Sequence, residues 1–461
     1  MKRVLYSKFL MGDQLKDIGA IFLAAIMLCF WSIYNGYPLF FSSDTAMYLE
    51  AAFAKHVGPD RPILYGLFMY YISGQYSLWF VVIVQSLILS YSFYCWFRYF
   101  LPGENYLLFF LLYSAFVSIF MGASFNVSWL MPDVFTPLSV LSIGLIIFAP
   151  RLPRHVWVFL IGLSILGIAM HNSHLFVCLG LTLLLLAGYA FKSVREIYNL
   201  VGIKFSRIAI VIGLIITSAF FAASISYQYG GGFKSSRGGT VFLMGSLVEM
   251  GVVDIYLGEN CSQKDYRICE YRDTIPNNFL WASNSPIYQT GGWAGSEAEY
   301  SAIVNDILTT PKYLKLVVWK SILRTISQFM HFDTGEATKA TPRIDQGFRR
   351  FYPNEYDNYY KARQNQGELN FKLVNHTQVV IFLSCILLYA LIYYKNGMSL
   401  KFRFLILFLL IALLINAWVC GTFSGVYFRY QARLLWLIPM PVFLFLATKI
   451  RIRSTEQPKQ T

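Results

Sequence analysis

Charge is scarce in this chain. Only 13% of its 461 residues are Asp, Glu, Lys or Arg, about half the roughly 25% of a soluble domain, and that shortage excludes an ordinary soluble globular enzyme. Acidic residues are the scarcer sign, 24 against 38 basic, giving a formal charge of +14. In a soluble chain such an excess would point to nucleic acid; membrane topology accounts for it better here, and no nucleic-acid partner is expected. Cysteines number only seven. Five of them (Cys29, Cys95, Cys178, Cys385, Cys420) lie in apolar runs, where a thiol behaves as a small hydrophobe. Cys261 and Cys269 stand eight apart in a polar stretch without a nearby His or a second Cys pair. That speaks against zinc and favours a disulfide in an oxidising compartment over two free thiols. The Gly230, Gly231, Gly232 run follows no strand and matches no phosphate-loop pattern.

What is abundant is apolar surface: 56% of residues are hydrophobic and 18% aromatic. Apolar runs long enough to cross a hydrocarbon core of about 30 Å recur along the chain. They predict an all-α polytopic membrane protein with ten transmembrane helices, at 18–38, 78–98, 106–121, 134–149, 156–170, 175–190, 208–226, 377–394, 404–420 and 432–448. With the basic N-terminal tail placed inside, alternation puts eighteen basic and five acidic residues on the inner side. The short outer loops hold Lys55, Arg61, Arg429 and Arg433 against Asp44, Glu50, Asp60 and Asp133, and the segment 227–376 is nearly balanced at 16 basic and 15 acidic. Both termini are therefore expected in the cytoplasm, with the first span an uncleaved anchor.

Three regions follow: a membrane domain over 1–226 with seven spans and the first outer loop, an extracytoplasmic and mainly helical segment over 227–376, and a membrane domain over 377–461 with three spans and a basic tail. Within the outer segment, Ser296 with Glu297 and Glu299 predicts a helix start, ending near Thr310 before Pro311. From Lys312 to Met330, Lys315, Lys320 and Arg324 share one half of a helix, and Leu314, Val317, Val318, Leu323 and Ile326 supply an apolar face. Such a helix is expected to lie in the membrane interface. No internal repeat or low-complexity tract is present.

Costly polar residues near span ends mark candidate sites, and the outer face gathers four groups. Asp44 opens an amphipathic helix with Tyr48 one turn on; Asp60 and Arg61 precede Pro62 and another short helix; Asp133 stands at the mouth of the fourth span; His171, Asn172, Ser173 and His174 form a polar knot between two spans. Arg429, Tyr430 and Arg433 enter the last span. Each has a bland alternative: a helix cap for Asp44 and Asp133, a local turn contact for Asp60 and Arg61, a hairpin turn for the histidines, snorkelling to headgroups for the arginines. Together they suit an acid or base beside cations that hold an anionic leaving group, as in transfer from a lipid phosphate.

The order of these motifs resembles the GT-C superfamily of membrane glycosyltransferases, in particular the bacterial aminoarabinose transferase and protein O-mannosyltransferase branch. Asp44 with Tyr48 is similar to the acidic residue and Tyr that open the first outer loop there. Arg61, Pro62, Ile63, Leu64 resembles the Lys-Pro-Pro-Leu-like turn, Asp133 the second acidic residue, and Phe428, Arg429, Tyr430 the late Arg-Tyr. Where the family commonly carries Lys-Gly-Pro, this chain has Met170, His171, Asn172, Ser173, a departure that puts His171 in place of the lysine. The matches cover roughly 35–190 and 425–440, and 227–376 matches nothing in that branch.

The resemblance implies a sugar donor on polyprenyl phosphate, a lipid, glycan or protein acceptor hydroxyl, and inverting transfer at the outer face of a bacterial inner membrane. Asp44 would be the general base or a metal ligand, and Asp133 would position the acceptor or share the ion. Arg61, His171, His174, Arg429 and Tyr430 would hold the phosphate, with Tyr48, Asp60 and Arg433 in support. Metal dependence is left open by the resemblance. A divalent ion, magnesium or manganese ahead of zinc, is the one these oxygens would take. An envelope polysaccharide polymerase or ligase, and a transporter without covalent chemistry, are the competing expectations.

Overall fold

A computed structural model describes residues 2–101, 103, 105–149, 151–336, 338, 342–395 and 397–455. Glu104, Lys339, Glu456 and Lys459, which entered the charge count, lie outside the described residues. Helix makes up 77% of the structure, and no strand occurs among the described residues. Six helices are long and apolar enough to cross a membrane: Trp79–Phe100, Asn172–Ala190, Phe205–Gln228, Lys372–Tyr394, Leu400–Phe423 and Phe428–Ile450, the last interrupted by a turn between Leu435 and Met440. The chain is built as a helical membrane protein.

The other four expected spans are helical but shorter or broken. Tyr106–Phe120, Pro132–Phe148 and Arg154–Ala169 are apolar yet reach only roughly 22 to 26 Å at 1.5 Å per residue, less than a straight crossing needs. The first apolar run is split at Cys29 between helices Lys2–Leu28 and Phe30–Asn35. Every residue of Phe135–Phe148 is buried, because the helices Trp79–Phe100, Arg154–Ala169, Asn172–Ala190 and Leu400–Phe423 pack around it. A helix apolar on all sides is what such a central position requires. Asp133 stands at its N-terminal end.

The segment 227–376 is two things. Residues between Val241 and Val317 form a separate hydrophobic core around Met244, Tyr256, Phe279, Tyr300 and Ile303. The Cys261–Cys269 disulfide expected from the sequence is present in it. Two of its helices, Gly239–Glu249 and Val252–Asn260, are together apolar enough for a span but turn by 92° at Gly251, whose φ of 70° suits glycine. The second part, around Phe332, Ile344, Phe348, Tyr352 and Tyr359, belongs to the membrane domain's own core. It straps the stretch between Tyr37 and Leu78. Buried Glu355 accepts from Tyr37, Ser77 and the Leu78 amide, the last at 3.0 Å. Gln364 bonds both the amide and the carbonyl of Phe40, at 3.0 and 2.7 Å.

The expected helices at Ser296 and Lys312 occur as Glu297–Thr309 and Pro311–Phe329. Glu299 does not sit idle at the first helix's start: it accepts from the amides of Arg267 and Ile268. In the second, Lys315 is exposed and Lys320 half-buried, but Arg324 turns inward to Glu249 at 2.9 Å. That face packs on the Leu400–Phe423 helix, where Gly421 comes so close to the Arg324 carbonyl that a Cβ would sit 3.0 Å from it. Leu314, Val318, Leu323 and Ile326 remain exposed.

Candidate functional site

The loop after Asn35 is fastened to the chain before Asp133 by an isolated parallel bridge between Leu39 and Trp129. The Leu39 amide donates to Ser128 (2.8 Å) and the Leu130 amide to Leu39 (2.9 Å). Thr45 adds a bond to the Leu130 carbonyl. The helix Ser42–Ala54 therefore starts beside the central helix, with Asp44 in its first turn. Ser42 has a φ of 30°, a strained value for a residue with a Cβ and of a kind held where a site fixes the backbone.

Asp44 is not a cap: the Phe41 amide at this helix start donates to Thr45 Oγ1 at 2.9 Å, not to Asp44. Its carboxylate instead meets two guanidinium groups. Arg61 reaches both oxygens at 3.2 Å, and Arg429 lies 3.5 Å away. Burial pushes the Asp44 carboxyl up, but Arg61 and Arg429 outweigh it and hold the group below its ordinary range. Asp60 takes the remaining edge of Arg61, at 2.7 to 2.8 Å, so the local turn contact exists alongside the longer one. Tyr48 places its ring 5.1 Å from the Arg61 guanidinium carbon.

Arg433 does not snorkel. Its side chain is 2% exposed and pairs at 3.1 Å with Asp133, itself 5% exposed. It also donates to Asn416 (2.8 Å) and Ser173 (3.3 Å). Through Ser173, whose hydroxyl is 2.9 Å from His171 Nδ1, the pair joins the polar knot. His171 also caps its helix by accepting from the Ser173 amide. Burial, with Arg433, Arg429 and Arg61 nearby, pushes the imidazole down to about 3. It is neutral at physiological pH, so it can serve a phosphate by hydrogen bonding and not by charge. His174 bonds the Gly167 carbonyl through Nδ1 at 2.7 Å and is fully buried in the hairpin. Tyr430 receives Arg429 at 3.2 Å and meets Ser424 at 3.0 Å.

The structure thus brings together Asp44, Arg61, Asp60, Tyr48, Arg429 and Tyr430 in one group and Asp133, Arg433, Ser173 and His171 in an adjoining one. Arg429 lies within electrostatic reach of both carboxylates. His174 joins neither by a hydrogen bond. Three carboxylates match three guanidiniums, and three buried nitrogens have no partner: Arg429 Nε, Arg433 Nε and His174 Nε2. The two guanidinium nitrogens are donors and His174 Nε2, with the ring proton given from Nδ1 to Gly167, is an acceptor; buried polar groups left in this way ask for a partner, a ligand or a water. For a divalent ion the fit is poor, since Asp44 and Asp133 are each matched by a guanidinium, and no group of three His, Cys, Asp or Glu gathers among the described residues.

Sequence reasoning missed Asn416, Ser424 and Glu336, whose carboxylate accepts from the Arg429 amide at 3.0 Å. Asn416 had a signal: it is an amide in the run Leu413, Leu414, Ile415, Asn416, Ala417, Trp418. Glu336 had none. Compared with family models, curated proteins and solved structures, the chain matches none.

Proposed function

We propose that this chain is a GT-C-like glycosyltransferase that moves a sugar from polyprenyl phosphate to an acceptor hydroxyl at the outer face of a bacterial inner membrane. The observation that carries the reading is a buried cluster in which a low-pKa carboxylate faces two arginines while neighbouring guanidinium nitrogens lack partners. A lipid phosphate would take those donors and draw Arg429 off Asp44. The freed carboxylate would accept the proton of the acceptor hydroxyl as its oxygen bonds the anomeric carbon. The bond from that carbon to the phosphate oxygen breaks, and its electron pair leaves on the polyprenyl phosphate beside Arg61 and Arg429. Asp133, fixed by Arg433, would position the acceptor. No step runs through a metal ion.

The decisive experiment is native mass spectrometry of detergent-purified protein. A retained polyprenyl phosphate is expected; purified protein that neither carries nor binds one defeats the reading.

Two further outcomes follow. Because Asp44 is held below the usual carboxylate range and His171 stays neutral, the transfer rate should be flat between about pH 6 and 8, without an inflection near the ordinary imidazole value of about 6.5. An inflection there that disappears in His171→Asn would show that His171 titrates in catalysis. The reading also takes ten spans with both termini inside, counting the short and broken helices as crossings. In intact cells, Asn277→Cys should react with an impermeant thiol reagent and Ser193→Cys should not, both positions being exposed and the five native free cysteines buried. The reverse pattern would invert the topology.

A further inference from the structure

The helix that begins at Asp44 continues into a second polar feature. On its far half, Glu50, Phe53 and Ala54 share one face by their spacing and line a cleft of about 530 Å³ together with Gln75, Arg350 and Phe351. That volume is in the range of ligand sites. Its wall is aromatic: Phe53 stacks on Phe351 with ring centres 4.2 Å apart and meets Tyr70 and Tyr352 edge-on at 5.1 and 5.8 Å.

The polar groups differ in what they have left to give. Glu50 is spent on an ion pair with Arg343. Gln75 holds a left-handed backbone at φ 61°, and its amide donates to Tyr70 at 2.9 Å; its carbonyl oxygen has no protein partner among the described residues. Arg350 is exposed, lies 5.3 Å from the Phe351 ring centre, and has no carboxylate partner among the described residues. The cleft therefore offers flat apolar faces, one neutral acceptor and one uncommitted guanidinium suited to a carboxylate or phosphate. Arg343 at its edge lies within electrostatic reach of Asp60 and Arg61. Glu50 is six residues from Asp44, about 9 Å along the helix.

We propose that this cleft binds the acceptor, and that the acceptor is an acidic glycan whose sugar faces stack on Phe53 and Phe351 while a carboxylate or phosphate meets Arg350. The identification as acceptor rests on the transferase reading; the glycan site does not. An acidic peptide is the competing occupant and is included in the test.

The test is isothermal titration of the full-length detergent-purified protein, without donor, using tetragalacturonate, neutral chitotetraose and tetraglutamate. Tetragalacturonate should bind at least about tenfold more tightly than either of the others. Arg350→Gln, at an exposed position that should not disturb folding, should weaken it by about tenfold, the scale of one charge-assisted hydrogen bond. Phe351→Ala should weaken it comparably, with retained helicity checked by circular dichroism. Equal binding of tetraglutamate, equal binding of chitotetraose, no binding of tetragalacturonate, or undiminished binding in Arg350→Gln would each overturn the proposal. Since no donor is present, the titration tests the glycan site alone; binding that tracks Arg350 in a protein that neither carries nor binds polyprenyl phosphate would sink the transferase reading and leave the glycan site standing.

Discussion

Asp44→Asn should lower glycosyl transfer by at least about a hundredfold, the usual scale for losing a general base, while the protein remains folded. The substitution keeps size and part of the hydrogen bonding and removes only the charge. A capping residue would tolerate it, because Asn caps a helix about as well as Asp, and the Phe41 amide at this helix start donates to Thr45 in any case. Some stability should be lost too, because two guanidiniums face the carboxylate. The loss should stay small: Arg61 keeps Asp60 at 2.7 Å and Arg429 keeps Tyr430 at 3.2 Å. Asp44→Glu, which restores the charge one methylene further out, should recover part of the rate. Arg429→Ala should act differently, raising the donor concentration needed more than it lowers the maximal rate. Transfer by Asp44→Asn within about threefold of wild type, measured with a donor the wild type uses, would return Asp44 to a structural role.

The helices were legible in the sequence because a bilayer demands long apolar runs, and all ten runs fold as helices. Their exact crossing status was not, since a run such as 134–149 is equally apolar whether it touches lipid or, as here, only other helices. Asp44, Arg61 and Arg429 could be grouped because each follows or precedes an apolar run on the same predicted side. What joins them over hundreds of residues is tertiary. Nothing in Pro353, Asn354, Glu355 says that Glu355 will fasten Tyr37 and Ser77. Arg324 looked like a solvent-facing member of a basic helix half because spacing cannot show that Glu249 waits on the other side. Arg433 shows where a bland alternative fails. Snorkelling is a sound expectation for an arginine near a span end, and it fails here because Asp133, three hundred residues earlier, supplies a buried countercharge.

That pairing carries the largest expected effect on stability. Arg433→Met removes a guanidinium that is 2% exposed and leaves Asp133, 5% exposed, with an uncompensated buried charge. Breaking one side of such a pair costs roughly 3–5 kcal/mol, and the loss of the bonds to Asn416 and Ser173 adds to it. The expected result is a marked fall in the thermal denaturation midpoint in detergent, with poor recovery from membranes. The companion variant separates charge from packing. Arg433→Met combined with Asp133→Leu removes both charges and fills the space with apolar atoms, an exchange that is often neutral for stability. It should recover most of the midpoint. If Asp133 positions the acceptor, the repaired protein should still transfer no sugar, because stability is restored without the carboxylate. Recovery of transfer along with stability would reduce the Asp133–Arg433 pair to a structural staple, and a single Arg433→Met variant as stable as wild type would show that Asp133 finds another partner.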